Sequence, residues 1–260
     1  MRRALRSRRG SAEESNPYWI SFTDLMTALL IVFILAVIVL VLQLTRAEEA
    51  LVAEQERAAQ QQLALSEQIG ALSATEDVRS AVVVEIADDL QSQGIPVSVS
   101  DNNAVLSIPT EVLGFDDGAH EIKPEFQPTA LAIGRTIASS LASGDRFRSL
   151  DTVFVEGHTD NRAFGGLDGT GNWGLSAFRA ISLWQLWRLD PGPTSQLSVM
   201  QRADGSPLFS VSGYGETRPA TAAQNTPEEQ AANRRIEIRF TVQQPSADDL
   251  ARVAGAEEDG

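Results

Sequence analysis

The 260-residue chain contains no cysteine, so disulfides, zinc–thiolate sites and thiol nucleophiles are excluded. Histidine is nearly absent: His120 and His158 are the only two, far apart in sequence, which leaves little material for an imidazole-based catalytic or metal cluster. No hydrolase-type Ser or Asp motif surrounds His158, so it reads as a structural or ligand-shaping residue. With no nucleophile, metal cluster or carboxylate pair on offer, an enzymatic role such as wall hydrolysis has no candidate residues; neither a metal nor a cofactor is expected. Basic charge is also scarce. Lys and Arg number 21 against 35 Asp and Glu, for a formal net charge of −14. That balance argues against direct nucleic-acid binding, which draws on clustered Lys and Arg.

The basic residues that exist are unevenly placed. Arg2, Arg3, Arg6, Arg8 and Arg9 crowd the first ten positions, ahead of a long apolar run, YWISFTDLMTALLIVFILAVIVLVLQL, from Tyr18 to Leu44. The run is about as long as a helix needs to cross ~30 Å of hydrocarbon, and it exceeds the ~7–15 apolar residues of a signal peptide. A transmembrane helix over 18–44 is therefore predicted. The arginines before it place residues 1–17 in the cytoplasm and everything after it outside the inner membrane, in the periplasm.

Asp24 is the one ionisable residue of the span. Ionisable groups inside a membrane usually face a protein interior and serve ion or proton movement. At helical spacing Ser21, Asp24, Thr27 and Ala28 share a face, giving a small, polar stripe that calls for a partner helix. The alternative is that Asp24, a turn and a half inside Trp19, merely reaches the interface.

Residues 45–79 follow as a helical connector rich in Ala, Glu and Gln. Leu44, Leu51, Ala58, Leu65 and Leu72 recur every seven positions beside polar companions, which is half of a coiled-coil seam. A weakly dimerising helix and a solvated spacer both fit. From 80 to 243 the pattern is that of an α+β domain, with helices packed on a mixed sheet. Expected are a hairpin or a strand with a turn within Val97–Ile108, helices over Pro124–Leu141, Leu175–Leu189 and Pro227–Asn233 (capped by Thr226), and strands over Asp151–Glu156, Leu208–Ser212 and Arg235–Val242. Trp184 and Trp187 read as helix packing. Residues 244–260, acidic and rich in small residues, read as a disordered tail.

A strand ending at Glu156 delivers Gly157, His158, Thr159 and Asp160 to a strand-to-loop edge, where ligand contacts gather in α/β domains. Asp160 offers a carboxylate and Arg179 a guanidinium fork, a pair that complements a zwitterionic amino acid. The competing reading is that the two simply bridge each other.

Three segments carry a resemblance: VEGHTDN (Val155–Asn161), NWGLSAFRA (Asn172–Ala180), and SGYGETRPA (Ser212–Ala220) followed by ANRRIEIRF (Ala232–Phe240). In that order they resemble the OmpA-like, or OmpA/MotB, peptidoglycan-binding domain. The resemblance implies that Asp160 and Arg179 grip the diaminopimelate of the wall peptide, that Asn172 and Leu175 line the same groove, and that Arg234 contributes beside it. The sequence departs from the family in the Gly-rich AFGGLDGTG, which lengthens the loop before Asn172 by about four residues, a change surface loops tolerate.

The segment FTDLMTAL, Phe22–Leu29, resembles the ion-carrying helix of MotB-type stator subunits, with Asp24 at the proton-carrying position. The longer run from Asn16 to Gln43 is similar to the B subunit of Zorya anti-phage defence systems (ZorB). The resemblance implies a homodimer inside a pentameric, MotA-like channel partner of ZorA type, translocating H⁺, with Na⁺ the alternative. A flagellar stator subunit and a static wall tether share the architecture.

Overall fold

The computed structural model describes residues 17–100, 102–166 and 169–243. The arginine-rich N-terminus and the acidic tail lie outside them, as do the side chains of Tyr18 and Ser21. The chain divides into two compact units, Met1–Leu63 and Ala64–Gly260.

A single helix, α1, runs Pro17–Ser92. In the first unit its described side chains are exposed, with Leu, Ile, Val and Phe outward from Phe22 to Leu44, and it is long and apolar enough to cross a membrane. The hydroxyls of Thr23 and Thr27 turn back and donate to the carbonyls of Trp19 and Thr23, each at 2.8 Å. Thr27 is thus satisfied within its own helix. Leu44 and Leu51 of the seven-residue repeat are exposed.

In the second unit α1 does not break between 79 and 80. It continues to Ser92 and contributes Val82, Val83, Ile86, Ala87 and Leu90 to the core at helical spacing. Strands β1 (Ser98–Val99) and β2 (Val105–Pro109) form the expected hairpin. A short helix, α2 (Thr110–Leu113), follows. The helices α3 (Gln127–Ala142) and α4 (Gly171–Leu189) flank β3 (Leu150–His158). Then come β4 (Phe209–Gly213), α5 (Pro227–Asn233) and β5 (Arg235–Val242). The sheet order is β1-β2-β5-β3-β4, antiparallel except for the β3/β4 pair. This is the expected α+β, mixed-sheet architecture.

The helices cover one face of the sheet. Val153 and Val155 point into the core with Ile133, Ile137, Leu183 and Trp187. Trp187 donates to the Ala130 carbonyl at 2.8 Å, and Trp184 stacks on Phe209 with centroids 5.1 Å apart, so both tryptophans serve packing. The approach of α4 depends on Gly157 and its cross-strand neighbour Gly213: a Cβ on either would fall 1.9 Å from the Ser176 carbonyl oxygen or 2.3 Å from the Ala177 nitrogen. That contact seats the first turns of α4 on the ends of β3 and β4.

Direction matters for the site. Arg79 donates to the Asn102 carbonyl and Asn103 to the Ser80 hydroxyl, so α1 meets the sheet at the β1–β2 turn. From there β2 runs away to Pro109, which pairs with Arg235 at the start of β5. His158 at the end of β3 pairs with the same Arg235. The C-terminal ends of β2 and β3 and the start of β5 thus lie together, at the end of the sheet remote from where α1 joins it.

Candidate ligand groove and ion-carrying residue

At that remote end β3 passes into the loop bearing Asp160, with Thr159 held by its N–H to the Gly215 carbonyl at 2.9 Å. Asp160 is 4% exposed. Its Oδ1 accepts the backbone N–H of Arg162 at 3.0 Å. Its Oδ2 accepts Arg162 Nε at 3.0 Å and Arg234 Nη1 at 2.9 Å. Burial works against ionisation of this carboxyl, but the hydrogen bonds from Arg162 and Arg234 outweigh it and hold the pKa below the usual carboxylate range. Asp160 is thus an anion that accepts three N–H groups, two of them on Oδ2.

The two guanidiniums extend the network outward. Arg162 forks onto Asp117, Nη1 to Oδ2 at 3.0 Å and Nη2 to Oδ1 at 2.8 Å. Arg234, at the end of α5, also donates to Glu111 at 3.1 Å. Charges therefore alternate along a chain, Asp117–Arg162–Asp160–Arg234–Glu111. Its centre is buried, while its two end carboxylates have side chains 76% and 55% exposed. Asn172, placed by the first turn of α4, donates to the Arg162 carbonyl at 2.9 Å and so fixes the loop.

Arg179 does not bridge to Asp160, which was the competing reading of the sequence; it is 2% exposed, with Nε on the Ala119 carbonyl at 2.8 Å and Nη2 on the Asp116 carbonyl at 2.9 Å. Its position on the inner side of α4 forces the burial, and the ring of Phe115 lies 5.3 Å from its Cζ. Among the described residues no carboxylate forms an ion pair with it. Burial, reinforced by repulsion from Arg234, pulls its pKa down to about 10.

Asp160, Arg162, Asn172, Leu175, Arg179 and Arg234 line a hollow of about 350 Å³, together with Asp117, Gly118, Thr159, Ala163 and Phe164. A second hollow, of about 370 Å³, shares Asp117, Arg162, Arg179 and Arg234 with the first and adds Thr110, Glu111, Phe115 and Gln230. The five groove residues expected from sequence, Asp160, Asn172, Leu175, Arg179 and Arg234, thus come together. Sequence reasoning did not single out Arg162, Asp117 or Glu111. The lengthened loop supplies a wall: the Phe164 ring lies over Gly118, whose φ of +68° and lack of Cβ admit it.

On the sheet face turned from the helices, Glu156, His158 and Glu237 place ligand atoms within 4.8 Å of one another. Their carboxylates are occupied. Glu156 takes Tyr214 at 2.9 Å and two N–H groups of Arg239 at 2.9 and 2.7 Å, and Glu237 takes Arg235 at 2.7 Å. Two guanidiniums already balance the charge, so the set does not fit a further cation. His158 is buried and stacked on Tyr214, centroids 5.4 Å apart. Its Nε2 lies 3.3 Å from Glu237 Oε2, near enough for an ionic contact but without hydrogen-bond alignment. Burial opposes ionisation of Glu237, yet the contacts with His158 and Arg235 hold its carboxyl at about 2.

In the first unit Asp24 is exposed on α1, and Thr27 follows it by three residues, which puts both on one side of the helix. Ser21 is the third residue of the expected stripe by spacing.

No protein-family model matches the chain, and no curated protein matches it significantly. Solved structures do. The cell wall anchor of the type VI secretion system from Pseudomonas aeruginosa is 28% identical, with 64% of this chain and 99% of that one covered and a TM-score of 0.44. The periplasmic domain of Helicobacter pylori MotB is 20% identical, covering 63% and 92%, with a TM-score of 0.46. A putative MotB-like protein from Desulfovibrio vulgaris is 21% identical, covering 66% and 97%, with a TM-score of 0.44.

Proposed function

We propose that this protein is the wall-anchored subunit of an ion-driven stator complex in the inner membrane. Its N-terminus lies in the cytoplasm and its α+β domain in the periplasm, where the groove holds the diaminopimelate residue of peptidoglycan. The observation that carries the wall-binding half is Arg179, a buried guanidinium with no carboxylate partner among the described residues, lining a hollow of about 350 Å³. A buried cation that neighbouring charge further disfavours gains a counter-ion when a ligand carboxylate arrives. The motifs around Asp160, Asn172 and Arg234 support peptidoglycan as the source of that carboxylate.

The motor half rests on Asp24 and its polar stripe in an otherwise apolar span. In this reading two copies of the chain stand inside a pentameric MotA-like, ZorA-type partner, and H⁺ passes by way of Asp24. The similarity of Asn16–Gln43 to the Zorya B subunit supports anti-phage defence as the biological output.

The test is paired. The full-length protein in detergent should co-sediment with purified diaminopimelate-type peptidoglycan, and Arg179→Gln should remove most of that binding. Asp24→Asn should keep wall binding and assembly with the partner but abolish ion conduction and protection. Full protection by a stably expressed Asp24→Asn protein would reject the motor and leave a static tether.

A further inference from the structure

The lengthened loop before α4 brings Phe164 to the hollow, and its ring does not serve the core. Phe164 is half-buried, yet it is not among the described residues that pack on the hydrophobic core cluster. The ring rests on glycine. A Cβ on Gly118 would fall 2.9 Å from it and one on Gly166 2.5 Å, so at both positions it meets backbone with no side chain to cover it. The carbonyl of Phe164 lies 3.3 Å from where a Cβ of Gly171 would stand, which folds the loop back onto the start of α4. What the ring does border is the hollow of about 350 Å³, together with Ala163 and Leu175. Leu175 is 4% exposed and likewise stands outside the core cluster. Asp160, Arg162, Arg179 and Arg234 make the hollow's charged walls, so an apolar strip of Phe164, Ala163 and Leu175 is set among charges. Such a strip releases water when an aliphatic group covers it, a gain of about fourfold in affinity per methylene buried.

We propose that Phe164, with Leu175 beside it, is a specificity-determining residue that binds the aliphatic stretch between the ligand's charged ends. The ligand class is an amino acid whose polar ends are separated by a run of methylenes long enough to lie along the ring. This rests on the wall-binding reading above. Phe164 stands within AFGGLDGTG, the segment by which the chain departs from the family pattern, so the contact is one that the resemblance does not supply.

In the experiment the full-length protein in detergent is bound to purified diaminopimelate-type peptidoglycan and released with two soluble competitors. One is free diaminopimelic acid; the other is diaminoglutaric acid, which has the same amino-acid ends on a shorter methylene run. The parent should be released by the longer competitor at a concentration about tenfold lower. Phe164→Ala should weaken wall binding and bring the two competitors level, whereas Phe164→Leu, which keeps an apolar wall, should retain the preference. Added salt should weaken wall binding of the parent and of Phe164→Ala by the same factor, because the lost contact is uncharged. A Phe164→Ala protein that keeps the parent's preference or loses the salt dependence overturns the assignment, as does a Phe164→Leu protein that loses the preference as fully as Phe164→Ala. A parent that sediments with the wall but does not distinguish the competitors overturns this inference alone. A parent that does not sediment with the wall overturns the wall-binding reading, and this one with it.

Discussion

On the face of the sheet turned from the helices, Glu156, Glu237, Arg235, Arg239 and Tyr214 satisfy one another. Just beyond the end of β3, the chain from Asp117 to Glu111 ends in two solvent-facing carboxylates, and Arg179 has no carboxylate ion pair among the described residues. Both networks pair carboxylates with arginines, the first on β3 and β5 and the second in the segments just beyond the end of β3 and before the start of β5. The carboxylates and arginines of the first pair with one another and hold the strands together; the second ends in open carboxylates beside a buried arginine that has no carboxylate partner among the described residues, an arrangement that suits a binding site better than a structural ion network.

The largest expected effect comes from breaking the first network. Glu156→Ala removes the acceptor of three donors at a site only 1% exposed, and breaking a buried pair in this way costs about 3–5 kcal/mol. Urea unfolding should show that loss, whereas Asp117→Asn, at an exposed pair, should shift stability by less than about 1 kcal/mol. Equal losses from the two substitutions would erase the distinction between the networks.

Acid provides the next comparison. The folded pKa of Glu237, about 2, lies below its ordinary 4.5, so its contribution is fully present above pH 4.5 and is lost as pH falls through about 2. The depression corresponds to about 3 kcal/mol. Unfolding free energies measured between pH 5 and 2 should fall by that order in the parent and stay flatter in Glu237→Gln. Asp160, also depressed, adds in the same direction.

The smallest effect concerns the support of Arg234. Thr226 and Glu229 form a reciprocal capping box at the start of α5, with bonds of 3.2 and 3.1 Å. Thr226→Ala should cost about 1 kcal/mol of stability. Because α5 leads directly into Arg234, wall binding should weaken slightly, by less than the loss from Arg179→Gln; wall binding lost as completely as in Arg179→Gln would make the seating of Arg234 as important as Arg179 itself.

How far the sequence announced all this depends on locality. The strand β5 and the capped helix α5 lie where alternation and the Thr-Pro start put them, because both signals act within a few residues. The run of α1 past residue 79 was not legible as a separate element, since no breaker interrupts VVVEIADDL and its apolar spacing merges with the connector. Asn172, Leu175 and Asp160 were found through motif positions. Asp117 and Glu111 reach the groove only through topology, 45 positions from Arg162 and 123 from Arg234, and no local pattern marks them. The burial of Arg179 was missed for a related reason: which side of α4 faces the Asp116–Ala119 loop is settled by the glycines of β3 and β4, far away in sequence.

The placement of the groove opposite the junction with α1 has a mechanical consequence. A pull between a ligand in the groove and α1 acts along β2, β3 and β5 rather than across them. Such loading shears the ladder hydrogen bonds together instead of unzipping them one after another. The load enters through a helix clamped by Val82, Val83, Ile86 and Leu90, not through an edge strand that could peel away. The domain is therefore built to carry tension from end to end.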